Sequence, residues 1–142
     1  MSRVINLDGV GKERYRLMKA LAISLRELVQ HNRSDSHARD LAAFMVFVLE
    51  GIAATIERTV APWEKRDYWL KADKFRMEWA WAGKLAAELR SAVLDEDWPE
   101  IGAALAQLGP HTQSVKLGKT HRLGTPWEGA WEKLLADDRQ GA

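Results

Sequence analysis

Apolar positions recur every three or four residues along most of this chain. Arg14, Met18, Leu21, Leu25 and Leu28 step by 4, 3, 4 and 3, the interval at which side chains share one face of an α-helix. They predict a first helix over 12–30, after a short extended N-terminus, 1–10. The ladder restarts with Leu41, Met45, Val48, Ile52, Thr55 and Thr59. It predicts a second helix over 36–60, with Asp35 or Ser36 as its cap. Ala43, Val46, Phe47 and Ala54 make the opposite face apolar too, and a helix apolar nearly all round belongs in the middle of a bundle.

A proline lacks the donor that the preceding turn needs and pushes the residue before it out of helical geometry. Pro62 therefore predicts a break near Val60 and a third helix over 62–95, with a kinked continuous helix as the alternative because no Gly or Asn marks the turn. That helix carries an unbroken heptad seam: Tyr68, Ala72, Phe75, Trp79, Ala82, Ala86, Leu89 and Val93. A second column, Trp63, Leu70, Met77 and Trp81, lies roughly 120° away at about 100° per residue. The third helix is thus expected to offer apolar surface to two neighbours.

"DWPEIGAALAQLGP" reads as a short helix between a capping box, Asp97 with Glu100, and a Gly109–Pro110 stop. A loop over 109–125 follows, with room for a small hairpin turning at Gly118–Lys119. Thr125, Pro126 and Glu128 then start a C-terminal helix over 126–137. The expected fold is all-α: one helical-bundle domain, 1–142, of four to five helices, with a long central helix and a basic loop before the last one.

Composition narrows the function classes. A chain of 142 residues is one domain's worth. It has no cysteine, which excludes disulfides, thiolate metal sites and cysteine nucleophiles and suits a reducing compartment. The start holds no apolar run that would serve as a signal peptide. The most apolar stretch, Leu41 to Ile56, has Glu50 within it and is shorter than the roughly 20 residues needed to cross a bilayer. A cytoplasmic protein is expected. Net charge is only +1, no argument for a polyanion partner by itself.

Three sets of residues carry candidate chemistry. Glu50 and Glu57 lie two turns apart on the apolar back of the second helix, and Lys71 and Glu78 fall between the two columns of the third. Charges so placed must pair or shift their pKa values. As a pocket they would bind a cation or polar ligand, or supply the general base of a metal-assisted hydrolase. As structure they would pair: Asp67 with Lys71, Lys74 with Glu78, and Arg14 with Glu50 or Glu57. No Glu-x-x-His or His-Glu-x-x-His occurs, so neither a di-iron carboxylate bundle nor a zincin is indicated. All-α nucleotide pyrophosphohydrolases pair Glu-x-x-Glu with Glu-x-x-Asp. Glu64 to Asp67 supplies the second motif, and nothing upstream supplies the first. No cofactor is expected.

The second set is the loop with His111, Lys116, Lys119, His121 and Arg122, where no acidic residue occurs from Ile101 to Trp127. It suits an anion such as a nucleotide or RNA phosphate, yet offers no ring for a base to stack on. The third set is Trp69 and Arg66, which leave both apolar columns of the third helix, together with Trp81. Exposed tryptophan beside arginine is the composition of an interface hot spot. A helix of about 50 Å also outruns its neighbours, so the chain's own tail or a second copy is expected to cover the excess. The leading expectation is an interaction or assembly module, homodimeric through the third helix. An anion binder and a carboxylate-based hydrolase or ligand binder are the alternatives.

Overall fold

The computed structural model describes the backbone over residues 4–141 and the side chains over 9–141. Its elements are α1 (Val4–His31), α2 (Ser36–Lys65), α3 (Trp69–Leu94), α4 (Trp98–Thr112) and α5 (Ala130–Gly141). The all-α bundle holds, and no strand occurs among the described residues. The hairpin expected at Gly118–Lys119 is absent; that segment is irregular loop.

From α1 to α4, successive helices run antiparallel. Leu17 of α1 lies against Gly51 of α2, and Arg14 reaches Thr55 and Thr59. Gly83 of α3 lies opposite Ala53 of α2, and Arg76 and Arg90 meet Glu57 and Glu50. On α4, Gln107 lies opposite Glu88 and His111 opposite Trp81. Because α4 touches α1 as well as α3, it closes a four-sided bundle at the end where α3 finishes. α5 packs on the outer side of α2.

The central position of α2 follows from its sequence. Leu41, Met45, Leu49 and Ile52 are fully buried, as are Ala43 and Val46 on the other face. Burying each of the four large side chains is worth about 1.5–3 kcal/mol. No helix among the described residues is long and apolar enough to cross a membrane.

Several boundaries differ from expectation, each for a local reason. α1 begins at Val4, so 4–10 is helix rather than extended chain; residues 1–3 lie outside the described residues. Gly9 and Gly11 weaken a helix by only about 1 kcal/mol each, which does not stop a helix of 28 residues. Pro62 does not end α2. It removes one hydrogen bond within the last turn, and Trp63, edge-on to Phe75 at 5.4 Å, holds that turn against α3. The chain reverses at Arg66–Tyr68 instead, through a Schellman motif. Asp67 takes the left-handed conformation at φ 63°, Asp67 N–H donates to Glu64 and Tyr68 N–H to Trp63. α3 therefore starts at Trp69, not at 62.

α4 keeps its expected start, with Asp97 accepting from Glu100 N–H at 3.2 Å. It runs past Pro110 to Thr112, whose hydroxyl donates back to Leu108 and Gly109. The last helix begins at Ala130 rather than 126, because Thr125–Gly129 forms turns bonded Glu128 to Thr125 and Ala130 to Trp127.

Candidate interaction surface

α4 is the short side of the bundle. Its 15 residues span about 22 Å against about 39 Å for the 26 residues of α3. Where α4 lies, Leu85 and Ala92 on the flank of the second column of α3 are buried, while Lys84 and Glu88, which continue its line, are exposed. At the lower edge of α4, His111 stacks on Trp81 with 4.0 Å between centroids and 6° between planes. Below that edge the column continues without cover. Met77 is 70% exposed and Leu70 75% exposed, which corrects the expectation that this column faces a neighbouring helix along its whole length. The heptad seam is buried at Ala72, Ala82, Ala86, Leu89 and Val93, but its first rung, Tyr68, sits in the turn and is 51% exposed.

Two charges flank the bare column. Lys74 and Glu78 follow one side of it at about 100° per residue. Their expected pairing with each other does not form, and neither enters an ion pair among the described residues. The expected Asp67–Lys71 pair is also missing: the Lys71 ammonium sits over the Trp63 ring at 4.5 Å. Of the three interface candidates, Trp69 is 54% exposed and Arg66 is exposed, while Trp81 is half-buried under His111.

Behind the column lies a run of rings, Trp63, Phe75, Trp79, Trp81 and His111, with neighbouring centroids 4.0–6.3 Å apart. Arg14 lies over Phe75 and Trp79 at 5.0 and 5.5 Å. The expected carboxylate partner is not Glu50 or Glu57. Arg14 donates instead to the Thr55 hydroxyl at 3.0 Å, the Thr55 carbonyl at 3.2 Å and the Thr59 hydroxyl. Burial, then the nearby Arg58 charge, pulls its pKa below the usual guanidinium value.

The candidate carboxylate pocket does not assemble. Glu50 pairs with Arg90 at 2.8 Å, and Arg90 also holds Asp137 of α5. Glu57 pairs with Arg76, which also holds Glu64 at 2.6 Å. These bonds lower the pKa of Glu57 and raise those of Arg76 and Arg90. With Glu78 on the surface and Lys71 over Trp63, the four candidates go separate ways. No group of three His, Asp or Glu able to hold a metal occurs among the described residues.

The basic loop divides. Lys116, Lys119 and Arg122 are exposed. His121 turns inward, accepting from Leu123 N–H at 3.1 Å and meeting Trp127 edge-on. His111 leaves the set for Trp81. Sequence reasoning missed Arg26 of α1, which donates to the Gly118 carbonyl at 2.7 Å and lines a shallow recess with Lys119, Thr120 and His121. It also missed Asp40, which caps α5. Both act across about 90 positions, a distance at which spacing carries no signal. Comparison with family models, curated proteins and solved structures finds no match for this chain.

Proposed function

We propose that this protein is a cytoplasmic interaction and assembly module whose working surface is the uncovered lower half of the second column of α3. The exposure of Leu70 and Met77, two large apolar residues two turns apart on one face of α3, carries this reading. Soluble chains rarely leave a helix face half covered, and such a face marks an interaction site. Trp69 and Tyr68 at its lower end supply rings of the kind that anchor interfaces. The absence of cysteine supports the compartment. No catalysis enters this reading.

The test is a photo-crosslinking residue in place of Met77, with a second at Lys133 on α5 as control. The expected result is one discrete covalent adduct from position 77 and none from 133. No adduct from position 77, in cells or with the purified chain, means the face is not an interface.

A second reading, anion binding, is favoured by one observation: Arg26 joins Lys119 and His121 of the basic loop in one recess, beside Glu27. Heparin binding that falls steeply with salt, and is lost in Arg26→Ala with Lys119→Ala, supports it. Absence of heparin binding even at low salt removes it.

A further inference from the structure

The uncovered column is self-complementary, and this names its occupant. Laid antiparallel on a copy of itself and centred near residue 76, α3 brings Leu70 beside Trp81 of the second copy and Trp81 beside its Leu70. Met77 of each copy meets at the centre. A two-fold axis between antiparallel helices keeps like flanks together. Lys74 of one copy then stands at the height of Glu78 of the other, twice over, and these are the two flanking charges that enter no ion pair among the described residues. One register thus serves the apolar residues and the charges together. The lower half of the column is also where the bundle lacks its fourth side, so the second copy's helix continues the position that α4 fills above.

We infer that the chain forms a two-fold homodimer in which α3 packs antiparallel on α3, with Leu70 and Met77 as the bare apolar contact, the uncovered part of Trp81 at its edge, and Lys74–Glu78 pairs across the axis. This rests on the reading of the lower half of α3 as an interface and adds the partner and the register.

Charge reversal tests both additions. Wild-type chain should sediment as a dimer. Lys74→Glu and Glu78→Lys each replace two attractive contacts by two repulsive ones and should weaken dimerisation roughly tenfold or more. Mixing the two variants restores both pairs: the introduced glutamate of one copy faces the introduced lysine of the other, and the remaining Glu78 faces the remaining Lys74. With one variant uniformly 15N-labelled, a heterodimer midway in mass between the two homodimers should therefore appear in the native mass spectrum. Met77→Glu, at the axis, should leave a folded monomer. Both charges are exposed, so circular dichroism should stay unchanged in each variant.

A mixture that remains monomeric overturns the register, as do single variants that dimerise like wild type. A wild-type monomer at every concentration overturns the second copy as occupant. The adduct from position 77 then decides separately whether the face is an interface for another protein.

Discussion

Asp40 of α2 accepts the backbone N–H of Trp131 at 2.9 Å and that of Gly129 at 3.2 Å, so α5 takes its N-terminal cap from the opposite end of the sequence. Neighbouring Arg39 reinforces the junction, lying over the Trp131 ring at 4.6 Å and pairing with Glu96. Arg39 Nε is buried without a hydrogen-bond acceptor, which the ring contact offsets in part. Losing a capping side chain typically removes about 1–2 kcal/mol. Asp40→Ala should lower the urea midpoint accordingly and speed protease cleavage in the 113–129 loop, while Asp40→Asn, which keeps one acceptor, should lose less. An Asp40→Ala variant cleaved no faster than wild type would show that α5 is held by its apolar face alone.

Arg14 is a guanidinium held by hydroxyls, a carbonyl and rings, with no carboxylate partner among the described residues. Its aliphatic stem and planar head fill the gap between α1 and the rings of α3. Arg14→Ala should therefore destabilise by about 1–3 kcal/mol, through lost packing and unsatisfied threonine groups. Arg14→Met refills the volume and removes a partly desolvated charge, so it should recover much of that loss. Thermal unfolding of both variants decides the point: equal losses would mean that the hydrogen bonds, not the filled space, hold Arg14 in place.

Acid should unfold the protein through its bonded carboxylates. The Asp35 carboxyl, which accepts from Ala38 N–H and meets His31, is held below its usual pKa, first by the backbone bond and then by His31. Arg76 does the same for Glu57. A depressed pKa means that the folded chain binds fewer protons than the unfolded one. The stabilisation is complete above the ordinary carboxyl range of about 4 and drains away as pH falls through the lower folded values. The urea midpoint should be level from neutral pH to about 5 and drop below about 4. Asp35→Asn with Glu57→Gln should lower the plateau and flatten the drop. An acid limb as steep as that of wild type would place the titrating groups elsewhere.

How much of this was legible in the sequence depends on whether a feature is periodic. The α2 ladder from Leu41 to Thr55 predicts a buried helix, and those positions are buried. The Asp97 cap is local and was readable. The exposure of Leu70 and Met77 was not, because a period shows that a column is apolar but not how far the neighbouring helix extends along it. Arg76 and Arg90 claim the carboxylates that spacing alone assigned to a pocket or to Arg14. Their reach across helices has no local signature. The Pro62 break failed for a different reason: a proline within a last turn removes little, and the actual stop lay where no glycine marked it.

That stop is itself testable. Three helix ends place a non-glycine residue in the left-handed region: Asn32 at φ 51°, Asp67 at φ 63° and Glu96 at φ 50°. Glu96, like Asp67, closes a Schellman motif, with its N–H donating to Val93 and Asp97 N–H donating to Ala92. L-residues adopt this conformation at a cost of about 1–2 kcal/mol, less for Asn and Asp, and glycine escapes it. Asp67 enters no ion pair among the described residues, so its replacement reports on the backbone alone. Asp67→Gly should raise stability by about 0.5–1 kcal/mol after the extra freedom of an unfolded glycine is subtracted. Asp67→Val, β-branched, should lower it by about 1–2 kcal/mol. Chemical denaturation of the two variants measures the difference. If both fell together, the turn would owe its stability to the Asp67 side chain, and the backbone argument for where α2 ends would be wrong.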